Sequence, residues 1–447
     1  MRIFAALLAA CFLALCASAQ ADEIRPSDNV VSGVVIRAAP TTQSERLGLL
    51  SPNEALAFIN DRPNWYEVRL ADGRRGFVSK RWTVRIVAPE EEPSAPLAGA
   101  DAMYVHFVYV GQGAGAILEF PCGVALIDTG GQYNGDTEGA RLFNDYLDRF
   151  FAEHPQYRNT IDVVFTSHPH QDHLDGLPRL LEEGVPRYRV LNVVDNGQSG
   201  SGQSVRKQMT FRNAVLTHGG AYAGVSVTRA LIPNGLANAV IDPIPRPAHA
   251  GEGLCEAGAV NPDIRVLWGG WTRDVVRELG GRGAYHSKPN NHSLVIRIDF
   301  GEASFLFTGD LEIPAIGDML EIYPDDGVFD VDVYHVGHHG AENATTADLL
   351  AAMTPEIAII SVGTLEDASG ASARGHGHPR AALINLLQHA PVGAVSGLRD
   401  QIGVEAFETA DDLIRVTIDR AIYATAWPDS IVLRADASGG YSFAHAH

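Results

Sequence analysis

The pattern of apolar and polar positions divides the chain into two textures. From Asn29 to Ile86 the apolar runs are short: Val30 to Arg37, Leu47 to Leu50 and Ala55 to Ile59. Then comes the alternating run Trp65-Tyr66-Glu67-Val68-Arg69-Leu70, an Ala71-Asp72-Gly73 turn, and Arg75-Gly76-Phe77-Val78 returning. Short strands joined by tight turns predict a small all-β barrel over residues 29–86. Residues 87–101 read as a linker, since Pro89 to Ala98 holds three prolines and three glutamates. Beyond it the strands become apolar on both faces: Met103 to Val110, Ala116 to Phe120, Val124 to Asp128 and Ile161 to Thr166. Helical periodicity is expected over Glu138 to Phe151 and Leu177 to Glu183. Buried strands alternating with helices predict a layered α/β domain over residues 102–436. Within it, residues 196–288 are rich in Gly, Ser, Ala and Asn and are expected to be an insertion or long loops. Residues 437–447 are expected to fray.

The N-terminus changes this picture only by what it removes. Arg2, the apolar run Ile3 to Leu15 and the small-residue site Ala17-Ser18-Ala19 read as a signal peptide over residues 1–19. The mature chain is therefore expected to be exported, to the periplasm or beyond the cell, without a membrane span. Cys11 and Cys16 leave with that segment, so Cys122 and Cys255 remain, either as one disulfide or as two thiols. The formal net charge of −20 disfavours a bulk nucleic-acid partner, because phosphate neutralisation needs basic surface.

The chemistry is concentrated in histidines delivered by strand ends. Ile161 to Thr166 leads directly into His168-Pro169-His170-Gln171-Asp172-His173. Neutral imidazoles and a carboxylate suit zinc, manganese or iron. On a turning backbone, His168 and His170 can grip one ion while Asp172 and His173 face a second. A second strand ends at Thr308-Gly309-Asp310, where a carboxylate could bridge both ions. A third ends at Val336-Gly337-His338-His339-Gly340; His338 is the expected ligand and His339 the alternative, otherwise a neighbour that supports the ligands. His335 lies inside that strand and reads as structural. In Arg374-Gly375-His376-Gly377-His378-Pro379, His378 is either a ligand of the second metal or a proton donor to the leaving group. Asp128, at the end of Leu126-Ile127-Asp128-Thr129-Gly130, suits a hydrogen bond to a ligand histidine that fixes its tautomer.

Two resemblances follow from these strings. Trp65-Tyr66-x-Val68, then Asp72-Gly73-Arg74-x-Gly76-x-Val78, resembles the bacterial SH3-like domain, which implies either a peptidoglycan contact or a spacer. The larger set resembles the metallo-β-lactamase superfamily. It runs Val110-Gly111-Gln112-Gly113, Ile127-Asp128-Thr129-Gly130, the histidine cluster, and Asn290-Asn291-His292-Ser293-Leu294-Val295. It closes with Leu306 to Asp310, Val336 to Gly340, and Gly377-His378-Pro379. Within the superfamily it is similar to the extracellular hydrolase domain of ComEC-type DNA-uptake proteins. The resemblance implies an αββα sandwich with two divalent ions, zinc or manganese, at one edge. It carries ligand roles onto His168, His170, Asp172, His173 and Asp310, and a metal or active-site role onto His338 and His378. Two departures matter. The ComEC-type membrane helices have no counterpart here. The further histidine ligand that many members place before the Thr-Gly-Asp strand is replaced by Asn290, Asn291 and His292, so one metal is expected to be more open.

The expected activity is hydrolysis by a metal-bridged hydroxide that Asp172 and Asp310 position. Two metals suit displacement at phosphorus, so the expected substrate is a small or polymeric phosphoester or phosphodiester, cut in a nuclease-like or cell-wall phosphodiesterase reaction. The same hydroxide could open a β-lactam, lactone or thioester. A non-catalytic cell-wall binding protein is the third reading, and an intact ligand set argues against it.

Overall fold

The computed structural model describes residues 23–86, 101–131, 138–198, 202–227, 259–271, 288–323, 327–363 and 373–445, apart from short gaps at 28–29, 31–32, 63, 71–72, 392, 410–411 and 428–429. The leader, most of the 87–101 linker, most of the 196–288 insertion and Cys255 lie outside the described residues. The chain forms two compact units, residues 1–96 and 97–447.

The first unit is all-β. Its seven strands lie in the order 46–50, 34–37, 75–79, 65–69, 56–62, 23–26 and 83–86. The strand Glu23–Pro26 precedes the boundary expected from the sequence. It pairs with both Leu56–Arg62 and Thr83–Ile86. Four residues are too few for a period-two signal, yet Ile24 is fully buried and packs with Val34, Ile36, Leu50, Val68 and Val78.

The second unit is a four-layer αββα sandwich. One sheet of eight strands runs 221–224, 192–195, 163–166, 123–129, 115–120, 102–107, 431–436 and 441–445. The other, of six, runs 263–268, 295–300, 303–307, 333–335, 357–360 and 422–424. Between them lies one core: Met103, Val105, Phe107, Leu118 and Leu433 from the first sheet meet Ile296, Ile298, Phe305 and Ile359 from the second. The alternate residues of the same strands, such as Ile117, Val124 and Leu126, face outward against the helix Glu138–Glu153. Strands covered on both faces need apolar residues at nearly every position, which is why they read as continuous runs. Helices Ile313–Ile322, Ala347–Met353 and Ala381–Gln388 cover the outer face of the second sheet. Among the described residues no helix is long and apolar enough to cross a membrane.

Two expectations are corrected here. The expected helix over Leu177 to Glu183 is a 3-10 turn, Leu177–Leu180, followed by the short strands Leu181–Glu182 and Val185–Pro186. Glu183 and Gly184 both adopt positive φ, 51° and 84°, a reversal that ends any helix and starts a hairpin. The tail does not fray before residue 445. Tyr441–His445 pairs with Ile431–Asp436, and the Tyr441 hydroxyl donates to Asp332 at 2.7 Å. An edge partner for the last core strand outweighs the fraying of a terminus. Cys122 is disulfide-bonded.

The second sheet also carries a charge cluster with a consequence for acid stability. Arg265 and Arg297 grip the partly buried Asp299 at 2.6 and 2.7 Å. Burial works against ionisation of Asp299, but the hydrogen bonds from Arg297 and Arg265 outweigh it, so its pKa lies below the ordinary value. A depressed folded-state pKa lends stability that is complete above the unfolded value of about 3.9 and lost as pH falls through the folded one. Asp299→Asn is therefore expected to lower Tm near neutral pH and to flatten the fall of Tm on acidification. Calorimetry across that range checks it; an acid limb as steep as the native one refutes it.

Candidate metal centre

The parallel strands Gly123–Thr129 and Val163–Thr166 end side by side at one edge of the sandwich. The first carries a bulge between Ile127 and Thr129, and Asp128 takes a left-handed φ of 57° there. A bulge re-aims a side chain, and here it turns Asp128 toward the neighbouring strand's exit. The backbone N–H of Ser167 donates to one Asp128 oxygen at 2.7 Å, and the Ser167 hydroxyl donates to the other at 2.6 Å. The chain is thus pinned one residue before the first histidine.

His168 is fully buried and His170 half-buried, with His168 Nε2 3.0 Å from His170 Nδ1. The single helical turn Gln171–Leu174 then carries Asp172 and His173. The space for this turn is made by Gly113, where a Cβ would come within 2.4 Å of the Asp172 carbonyl. His173 Nδ1 donates to Asp128 at 2.7 Å, and its Nε2 points at Asp310 at 3.1 Å.

Asp310 arrives from the opposite sheet, at the turn following Ala303–Phe307. Gly309 takes φ 52°, and a Cβ there would press on the side chains of Ser293 and Ser167. Ser293 Oγ accepts the Asp310 N–H at 3.1 Å. Beyond Val333–His335, His338 and His339 both adopt left-handed φ, 50° and 53°. Two consecutive residues in this conformation, neither of them glycine, store strain and send their side chains in different directions. His339 is buried, its Nδ1 donates to the Ser361 carbonyl at 2.9 Å, and its Nε2 lies 3.2 Å from Asp172 and 3.8 Å from Asp310. His338 is more exposed and stands 3.7 Å from the other Asp310 oxygen.

The donors fall into two groups that share Asp310. Asp172, His173, Asp310 and His339 place one ligand atom each within 4.8 Å of one another, and His168, His170 and Asp310 do the same. The two oxygens of Asp310 divide between them: Oδ1 faces His173 and His339, and Oδ2 faces His168 and His338. His378 half-buries its ring 5.6 Å from that of His338, and exposed His376 stacks 6.2 Å from His378; both stand at the rim. His335 is buried against Phe107 and Phe307 and bonded to Ser361, a packing role. Asn290, Asn291 and His292 belong to neither group; the Asn290 side-chain amide donates to Glu312, and the His292 carbonyl accepts from Asn196.

The electrostatics are those of a site built for cations. Burial disfavours the His168 cation, and the neighbouring His173 adds to this, so its pKa lies well below the ordinary value. Burial also works against a charged His173, but Asp310 and Asp128 outweigh it and raise its pKa well above the ordinary value. Burial opposes ionisation of Asp310, yet four surrounding imidazoles keep its carboxyl well below the usual range. His378 is pushed down to about 3 by burial and by His338, His339 and His376. His173 Nε2 is buried 3.1 Å from Asp310, while its Nδ1 is committed to Asp128. Oriented imidazole nitrogens gathered with two carboxylates are the donor set of a divalent metal, and the residues present fit it.

Residues 111–364 match the Metallo-beta-lactamase superfamily, more than half of the chain. The chain belongs to this superfamily. In this metallo-beta-lactamase protein, residues 32–84 match the bacterial SH3 domain. Two curated relatives are ComEC-type proteins. ComE operon protein 3 of Bacillus subtilis is 34% identical over 99 residues, 22% of this chain and 11% of that protein. Recombination protein 2 of Haemophilus influenzae is 38% identical over 79 residues, 17% of this chain and 9% of that protein. The matched segments span about a tenth of the length of either relative. Among solved structures, the metallo-beta-lactamase fold protein YhfI from Bacillus subtilis is 12% identical, with 57% of this chain and 85% of that one covered at a TM-score of 0.30. The sequence reading had no role for Ser167, Ser293 or Ser361, which position the ligands. Their one local signal is a small hydroxyl residue at a strand exit beside a motif.

Proposed function

We propose that this metallo-beta-lactamase protein is an exported two-metal hydrolase of phosphoesters, phosphodiesters foremost. The observation that carries the reading is Asp310, a buried carboxylate whose two oxygens serve two adjoining donor groups. Asp172, His173, Asp310 and His339 would hold one ion, and His168, His170 and Asp310 the other. Two divalent cations at such a centre supply Lewis acidity and neutralise the charge that develops on oxygen in a displacement at phosphorus. The chain's own residues do the rest. Asp128 holds His173 in one tautomer, and the Ser361 carbonyl does the same for His339. His338, His376 and His378 rim the opening, where they can contact the substrate's anionic oxygens. The Cys122 disulfide supports export, because such bonds persist in oxidising compartments.

The test is elemental analysis of reconstituted protein, paired with hydrolysis of bis(p-nitrophenyl) phosphate and of nitrocefin, each with and without a chelator. About two ions per chain and chelator-sensitive phosphodiester turnover are expected. Nitrocefin turnover alone would move the centre to acyl chemistry. A chain that takes up no metal would leave a wall-binding protein.

A further inference from the structure

The chain is acidic as a whole, with 34 Lys and Arg against 54 Asp and Glu, but the charge is segregated. Residues 23–86 carry ten Lys and Arg against seven Asp and Glu, so the barrel is basic and the hydrolase unit holds the excess negative charge. An argument from net charge therefore does not apply to the barrel.

Its basic residues are interleaved with rings. Lys80 Nζ lies 5.1 Å from the centre of the Tyr66 ring. Tyr66 meets Phe58 edge-on, with ring centres 6.1 Å apart. The Arg85 guanidinium lies 3.8 Å from the centre of Phe58. In the turn between Lys80 and Arg85, Arg81 stacks 5.0 Å from the Trp82 ring, and Trp82 is 43% exposed. The acids of the barrel are partly committed elsewhere: Glu67 is buried and gripped by Arg62 and Arg75 at 3.1 Å each, and Glu23 by Arg25 at 2.6 Å. An exposed tryptophan costs solvation unless something covers it, and cations at its edge select an anion to do so.

We infer that this face of the barrel binds single-stranded nucleic acid, stacking a base on Trp82 while Lys80, Arg81 and Arg85 meet phosphates. A single strand offers the two things the surface asks for, a regular line of negative charge and unpaired π-faces. A wall peptide supplies no such charge line, and a polyphosphate-type polymer supplies no rings. This inference does not depend on the hydrolytic reading. The same patch would hold a strand whether or not the second unit cuts it.

The test is fluorescence anisotropy of full-length protein with a labelled oligothymidylate of twenty nucleotides, with chelator present so that nothing is cleaved. Three cations on a single strand predict a log–log salt slope of about −2, so affinity should fall about a hundredfold between 0.05 and 0.5 M salt. Trp82→Ala should weaken binding about tenfold, in the range of one lost base stack. Arg81→Glu with Arg85→Glu should abolish it. Metal-loaded forms of these variants should hydrolyse a small chromogenic phosphodiester at the native rate and unfold at the native temperature. Arg81→Glu alone, at an exposed position, keeps the test open if the double variant folds poorly. Binding that is unaffected by these substitutions, or polyglutamate competing as well as the oligonucleotide, would overturn the inference. So would retention on purified peptidoglycan without oligonucleotide binding.

Discussion

Asp310→Asn is expected to strip the protein of both metals and to lower phosphodiester turnover at least about a thousandfold. Asp310 is the one residue common to both donor groups, and its two oxygens face different histidines. Asparagine keeps the volume and lets the backbone N–H stay on Ser293, so the fold should survive. It keeps one oxygen acceptor but loses the charge and presents a donor to imidazole lone pairs. Metal binding contributes several kcal/mol of transition-state stabilisation, and each 1.36 kcal/mol is tenfold in rate, which sets the size of the loss. Elemental analysis and turnover, with far-ultraviolet circular dichroism as the control for folding, check it. Retention of about two ions with near-native turnover would show that Asp310 does not bridge.

Asp128→Asn is expected to weaken metal affinity and turnover by about tenfold to a hundredfold, the usual effect of losing a partner that orients a ligand. Asp128 is a positioning residue, 2% exposed, whose carboxylate accepts from Ser167 N–H, Ser167 Oγ and His173 Nδ1 at once. An amide presents oxygen on one side only, so either Ser167 or His173 loses its acceptor. A freed His173 can carry its proton on Nε2 instead of Nδ1, which removes the lone pair a metal ion would need there. Saturating metal should restore much of the lost rate, because the defect lies in holding the ion. A competing chelator reads the affinity and kcat at high metal reads the rescue. A loss of rate that added metal does not touch, with affinity unchanged, would put Asp128 in a purely structural role.

Much of this centre was legible before any coordinates. The six residues from His168 to His173 are local, and their donors meet because a strand exit and one helical turn fix them. Thr308-Gly309-Asp310 and the His338-His339 pair were legible as strand exits too, since a run of apolar residues ending in glycine marks one. What was not legible was the choice within a pair. His338 and His339 are adjacent and chemically identical, and only their successive left-handed φ values decide that His339 enters the group with Asp172 and His173 while His338 faces the other oxygen of Asp310.

The sequence by itself determined the layered domain, because strands buried on both faces cannot avoid continuous apolar runs. It determined the barrel's hairpins, the donor types and their order, and the segregation of basic residues into the barrel. The tertiary structure decided whatever depends on register between distant segments. It brought Asp310 from one sheet against His168 and His173 at the edge of the other. It set Ser361 behind His339, recruited Glu23–Pro26 into the barrel, and turned the expected loose tail into an edge strand. Periodicity reports which face of a segment is buried; it carries no information about which other segment does the burying, and that pairing is where the two donor groups meet.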